Sequence, residues 1–484
     1  MTPEQQKKFK YWQWRTLIGT MIGYIFFYLI RKNFSFAIPG LSAEYGITKT
    51  SFGIIMTLIT IVYGVSRFLN GFLADRLSGR YHMAIGLMLC AIANFAFGFG
   101  ADISELITGQ AGGPQFTNTL ILFFGVVLIL NNFLQGSGFP PCARLLTHWI
   151  PPKELATKMS IWNTSHSVGA SLVAILCGYI MGTLGANLSA NPEIVTQLAG
   201  NLGVTLGDDS AMKSVLESAS HYGAWRWCFW IPGGLAFVGA IGIFMMLRDT
   251  PSSVGLPEIH KINKSGKENS AEYKAFIREK VFRNKWIWIL GLANFFVYIV
   301  RFAVLDWGPT FLKESRGMDL KGAGWTVAVF EIFGIIGMLA SGWLTDKLLK
   351  GKAHRMCVFC MIGVAFFMTL FLVMPVSTPM WLMVIVLAMA GFCIYGPQAL
   401  IGIAAANQAT NRAAATANGL TGLFGYASGI VSGFGVGYMI DLLNNWDYVF
   451  AGMIGIAVIG TLVFLTMWGA KADGYDEESK TENA

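Results

Sequence analysis

Apolar stretches long enough to cross a bilayer recur twelve times along this chain, and that recurrence leaves few folds open to it. A hydrocarbon core of roughly 30 Å asks for about 20 apolar residues per helix. The runs fall near 16–40, 52–74, 82–100, 117–138, 156–184, 224–247, 285–311, 323–345, 355–374, 379–402, 412–440 and 447–469. Charged residues are 13% of the 484 positions and hydrophobic ones 54%, too few charges to coat a soluble protein of this size. The first run follows Lys7, Lys8, Lys10 and Arg15 and shows no small-residue cleavage site, so it reads as a membrane helix rather than a removed signal.

A net charge of +8 invites a nucleic-acid reading, but the distribution of the 35 Lys and Arg residues argues against it. Most fall in the tails and even-numbered loops, which places both termini in the cytoplasm by the positive-inside rule. A polar stretch at 249–284, with Lys261, Lys264, Lys267, Lys274, Arg278, Lys280 and Arg283, separates six runs from six. The predicted organisation is therefore a six-helix bundle at 1–248, a cytoplasmic linker at 249–284, a second bundle at 285–470 and a polar tail at 471–484. Insertions at 101–115 and 185–222 sit on the outer face. The seven cysteines lie in or beside apolar runs as small hydrophobes. Cys357 and Cys360 form a CxxC without a second ligand pair, so no metal, cofactor or enzymatic constellation is expected.

Internal repetition is a further signal, because transporters are often built from repeated halves. Gly71-Phe72-Leu73-Ala74-Asp75-Arg76 recurs as Gly342-Trp343-Leu344-Thr345-Asp346-Lys347. The glycine is expected to allow close helix packing, and Asp75, Arg76, Asp346 and Lys347 to cap helix ends and act in gating. In two copies this turn resembles the loop signature of the major facilitator superfamily.

Arg31 and Arg301 lie roughly 22 to 24 Å along the first and seventh runs at 1.5 Å per residue. Their separation matches the offset of the repeated turn within one residue. A charge at that depth costs about 2.5 to 3.5 kcal/mol and usually faces a cavity or a partner. Two guanidiniums, one per half, make an anion site whose planar forks suit phosphate, and they balance a dianion better than a monoanion. The alternative is snorkelling or pairing with an internal acid, for which Asp306 and Glu331 could each answer Arg301. His166 lies deep in the fifth run, and an unperturbed imidazole has a pKa that overlaps the second phosphate ionisation. Tyr24 and Tyr28 share a helix face with Arg31, and Tyr298 precedes Arg301 by three residues. Lys32, Tyr63, Arg67, Asn163, Tyr395 and Tyr426 complete the candidate set, each tyrosine serving either packing or phosphate recognition.

Specific motifs then accumulate. Tyr28-Leu29-Ile30-Arg31-Lys32-Asn33-Phe34, Gly138-Phe139-Pro140-Pro141-Cys142, Trp162-Asn163 through His166, Asn294 through Arg301, Leu305-Asp306-Trp307, Ile394-Tyr395-Gly396-Pro397 and Leu423-Phe424-Gly425-Tyr426 resemble those of the organophosphate:inorganic phosphate antiporter family. The resemblance implies an all-α major facilitator fold of twelve transmembrane helices in two pseudo-symmetric bundles, in a bacterial inner membrane. It further implies import of an organic phosphate in exchange for inorganic phosphate, with Arg31 and Arg301 clamping the phosphoryl group, His166 completing the site, and Tyr28, Tyr298, Tyr395 and Tyr426 lining it. Where hexose-phosphate importers carry A-D-G-I-K-G, this chain reads Ala417-Asn418-Gly419-Leu420-Thr421-Gly422. That difference, with the Leu305 to Glu314 stretch and Pro140-Pro141-Cys142, is more similar to glycerol-3-phosphate importers. Arg67 departs from their usual Lys and keeps hexose phosphate open. The expected partners are phosphate esters, inorganic phosphate and lipid, with no nucleic acid, in a monomer. A sugar-phosphate sensor of the same fold and a proton-coupled carboxylate symporter using Glu331 are the rival readings.

Overall fold

The computed structural model describes residues 2–204, 209–257, 271–409 and 413–471. Lys261, Lys264 and Lys267 of the polar linker, nearly all of the C-terminal tail and the side chains of Asp75 and Arg76 lie outside the described residues. Among the described residues the regular structure is helical, apart from one bridge between Ala186 and Tyr222. The helices run in order α1 (Pro3–Leu29), α2 (Phe34–Tyr45), α3 (Lys49–Arg76), α4 (Gly79–Gly98), α5 (Gly100–Thr108), α6 (Pro114–Gln135), α7 (Phe139–Trp149), α8 (Pro152–Met181), α9 (Pro192–Leu202), α10 (Asp209–Ser220) and α11 (Ala224–Met246). Then follow α12 (Ala271–Ile277), α13 (Lys285–Arg316), α14 (Leu320–Leu348), α15 (Ala353–Val373), α16 (Met380–Ala409), α17 (Ala414–Ala427), α18 (Val436–Leu443) and α19 (Trp446–Leu465).

Eleven stretches among the described residues are long and apolar enough to cross a membrane, and they coincide with the second to twelfth predicted runs. The first run differs. It is divided between α1 and α2, with the helix interrupted at Ile30–Asn33. Trp12, Gln13, Trp14, Thr16, Tyr24 and Tyr28 also dilute the hydropathy of α1, which starts well before the predicted boundary at Pro3 behind a Thr2 capping box.

The chain divides into two compact units, Met1–Lys261 with Asp306–Ala328, and Ile262–Leu305 with Val329–Ala484. The last turns of α13 and the first turns of α14 thus pack within the first unit. Backbone approach makes this possible: a Cβ on Gly178 of α8 would lie 2.6 Å from the Leu320 carbonyl oxygen, and one on Gly324 would lie 2.4 Å from that of Ala174. Small residues four apart let membrane helices meet this closely. Ser171 Oγ donates to the Ala328 carbonyl at 3.3 Å, and Lys49 pairs with Glu314 at 3.2 Å.

The 185–222 insertion forms a helical cap on the first unit. Leu198, Ala199, Val215 and Ala219 of α9 and α10 pack on Ala43 of α2. Gln197 and Asn201 donate to the Glu44 carbonyl, and Asn201 also to that of Ala43, capping the end of α2. The buried Glu44 carboxylate accepts from Gly223 N at 2.7 Å and Trp225 Nε1 at 3.0 Å.

In the second unit, α14 and α16 meet closely among the described residues. A Cβ on Gly337 would sit 1.9 Å from the Phe392 carbonyl oxygen, and one on Gly391 2.5 Å from that of Phe330. The motif glycine Gly342, in contrast, has nothing within 4 Å of where its Cβ would be. Close packing expected at the repeated turn therefore occurs five residues earlier in this copy. Asp346 and Lys347 are exposed, with Lys347 Nζ 4.7 Å from the Trp343 ring centroid.

Candidate functional site

In the first unit the site is organised around the interruption between α1 and α2. Breaking a helix inside a membrane leaves carbonyls without helical partners, and each must be paired some other way. Buried amides do this. Gln135 Nε2 donates to the Phe27 carbonyl at 3.2 Å, and Asn94 Nδ2 and Asn131 Nδ2 each donate to the Ile30 carbonyl at 3.3 Å. Asn33 Nδ2 reaches both Asn94 Oδ1 at 2.8 Å and the Cys228 carbonyl at 2.9 Å. The backbone N–H groups of Arg31 and Lys32 both turn back to the Tyr28 carbonyl at 3.2 Å. The two adjacent cations are thereby carried on a turn held by α4, α6 and α11.

Arg31 lies flat over an aromatic face, its guanidinium carbon 3.6 Å from the Tyr63 ring centroid and 5.4 Å from that of Tyr28. Tyr24 stands 5.4 Å from Tyr28 and 4.7 Å from Trp162, centroid to centroid. Arg67 covers Phe139 at 4.2 Å, and Phe139 meets Trp162 at 5.6 Å. Both guanidiniums lie within electrostatic reach of the buried Tyr63 hydroxyl. Such stacking fixes the plane of each guanidinium fork.

His166 is buried on α8, its ring 5.8 Å from Tyr28. Nδ1 donates to the Asn163 carbonyl, which places the second proton of the ring, when it is charged, on Nε2. The Asn163 side chain itself is exposed. Lys32 pairs with Asp306 at 2.6 Å, with side chains 18% and 15% exposed. Asp306, one of the two acids the sequence offered to Arg301, is thus engaged by Lys32 in the first unit.

The second unit presents a separate cation. Arg301 is 5% exposed on the uninterrupted α13. Its Nη2 donates to the Tyr395 hydroxyl at 3.1 Å, with the Tyr395 centroid 4.8 Å and the Tyr298 centroid 5.9 Å from the guanidinium carbon. Glu331, fully buried on α14, interacts with the same Tyr395. Tyr426 is half-buried near the end of α17, before a π-helical turn at Ile430–Gly435. Asn294 Nδ2 donates to the Thr421 carbonyl at 2.9 Å, tying α13 to α17.

The structure therefore brings Arg31, Tyr24, Tyr28, Tyr63, Arg67 and His166 together in one unit, and Arg301, Tyr298, Tyr395 and Glu331 in the other. Sequence reasoning missed Asn33, Asn94, Asn131 and Gln135, which shape the turn. Their signal was present as amides inside apolar runs, where an unneeded polar group is costly.

Known proteins resemble this chain over most of its length. The profile of the Major Facilitator Superfamily matches residues 20–433. The chain is 34% identical to a probable hexose phosphate transport protein of Chlamydia pneumoniae, over 96% of this chain and 93% of that one. It is 32% identical to the glycerol-3-phosphate transporter of Bacillus subtilis (strain 168), over 94% and 92%. A third relative, the membrane sensor protein UhpC of Escherichia coli (strain K12), is 31% identical over 97% and 95%.

Proposed function

The chain is a member of the Major Facilitator Superfamily, in its organophosphate transporter family, and on that premise we propose that it imports a small phosphate ester across a bacterial inner membrane in exchange for inorganic phosphate. Arg31 is the phosphate ligand of the first unit and Arg301 that of the second. The observation carrying this reading is Arg31 itself, held 3.6 Å over Tyr63 on a turn built by buried amides, because that pre-orients a bidentate donor for a tetrahedral anion.

Glycerol-3-phosphate is the first candidate ester. At the two positions where hexose-phosphate importers carry ionisable residues the eleventh apolar run has Asn418 and Thr421, so neither offers a charge to recognise a larger polar sugar. Hexose 6-phosphate is the second, supported by the Chlamydia relative and by the extra guanidinium of Arg67 over Phe139. Phosphate binding draws the carrier closed because charge-assisted bonds form in that state and not in the open one. If closure needs those bonds, flux requires ligand on both passages.

Proteoliposomes loaded with labelled phosphate, challenged outside with glycerol-3-phosphate or glucose 6-phosphate, test this directly. Efflux of label is expected with an ester outside and not with buffer alone, and the better ester names the cargo. Arg31→Lys or Arg301→Lys should lower exchange at least about tenfold, since Lys supplies a point charge without the fork. Ester binding without label movement would instead make the protein a sensor. Normal exchange by both Lys variants would remove the guanidinium basis.

A further inference from the structure

Three arginines outside the proposed substrate site converge on the C-terminal end of α11. Arg15 Nε and Nη2 donate to the carbonyls of Met246 at 3.0 Å and Met245 at 3.1 Å. Arg80 Nε donates to the Phe244 carbonyl at 2.6 Å, and Arg248 Nη1 to that of Leu247 at 2.7 Å. Capping explains the position of each, since these carbonyls have no helical partners and the helix end is negative. It does not balance the charge. The helix end supplies roughly half a unit of negative charge. Among the described residues, the carboxylate bonded beside this cluster is Asp249, which accepts from Arg80 N at 2.9 Å and from Ser78 Oγ. Among the described residues, three positive charges thus face about one and a half negative ones. Burial and then the charges of Arg80 and Arg15 lower the Arg248 pKa from its ordinary value, as expected where cations crowd together.

The surroundings point to one kind of counter-anion. Trp12 lies 4.7 Å beneath Arg15 and 5.5 Å beneath Arg248, and Tyr11 OH accepts from Arg15 Nη1 at 2.8 Å. Immediately along the same three helices the surface is apolar and exposed: Ile18 and Ile22 on α1, Tyr81 and Ile85 on α4, Ile241 and Met245 on α11. A headgroup-depth cluster of cations and aromatic rings, continuous with an apolar wall, has the layout of a lipid contact. We propose that the groove between α1, α4 and α11 binds an anionic phospholipid from the leaflet on the N-terminal side, its phosphate held by Arg15, Arg80 and Arg248 and its chains lying along that wall. A soluble phosphate would satisfy the guanidiniums but leave the apolar wall unused.

Native mass spectrometry of the detergent-purified full-length protein, titrated with dioleoylphosphatidylglycerol or dioleoylphosphatidylcholine, tests the assignment. Phosphatidylglycerol is expected to be retained preferentially. Arg248→Gln, which keeps an amide donor for the carbonyls but loses the charge, should weaken that retention about fivefold, and Arg15→Gln with Arg248→Gln about 25-fold. Arg248→Lys should stay within about threefold of the parent, and Lys347→Gln, on the second unit, should change nothing. Equal retention of the two lipids, or undiminished phosphatidylglycerol binding by the Gln pair, overturns the proposal. So does displacement of the lipid by millimolar inorganic phosphate, which would mark a free-anion site. If the Gln pair is lost to misfolding, the single Arg248→Gln and Arg248→Lys variants still separate charge from shape.

Discussion

Arg31 shows how much a single residue owes to what lies beneath it. A guanidinium on a long flexible stem carries about 2 kcal/mol of rotamer entropy, and pinning it before the ligand arrives removes that loss from binding. Tyr63 does the pinning at 3.6 Å mainly through its ring face, with its hydroxyl also in contact with Arg31. Tyr63→Phe is therefore expected to keep phosphate affinity within about twofold. Tyr63→Ala should weaken it about five- to thirtyfold, the worth of a desolvated cation–π contact of about 1 to 2 kcal/mol. Phosphate titrations of the two variants check the difference, and equal losses would assign the role to the hydroxyl instead.

At the scale of elements, the close seams and the outer cap decide stability. Because a Cβ on Gly337 would strike the Phe392 carbonyl at 1.9 Å while one on Gly342 meets nothing, Gly337→Ala is expected to destabilise by about 1 to 3 kcal/mol and Gly342→Ala to be near neutral. Thermal unfolding in detergent measures both. The cap carries a pH dependence. Glu44 lies beyond the predicted end of the first run, and its burial pushes the carboxyl from 4.5 up to about 7, with the Gly223 and Trp225 donors and Arg226 opposing. Since the folded value is the higher one, the attachment is strongest below about 4.5 and weakens as pH rises through about 7. Hydrogen exchange in α9 and α10 should accordingly quicken between those values in the parent chain. In Glu44→Gln it should show no such pH-dependent step beyond the intrinsic chemical rate.

For the whole molecule, the predicted topology assigns each loop to a side. Six of the seven cysteines are buried, so single introduced thiols report with little background. Ala111→Cys and Ser377→Cys, at exposed positions in odd-numbered outer loops, should react with an impermeant maleimide on intact cells. Lys274→Cys, in the linker, should react after permeabilisation alone. Labelling of Lys274→Cys from outside would invert the assigned orientation.

Much was written locally. Runs of about 20 apolar residues and a repeated turn each depend on residues near one another, so the sequence by itself determined the helical membrane class and eleven of the twelve predicted crossings. What tertiary structure alone decided concerns partners far apart in the chain. The first run breaks at Ile30–Asn33, where Asn94, Asn131 and Gln135 donate to the carbonyls that the break frees. Asp306 goes to Lys32, and the close approach falls at Gly337 rather than at the motif glycine. Hydropathy is a property of a window, whereas the pairing of a carbonyl, a charge or a Cβ-sized gap is settled by whichever element packs against it.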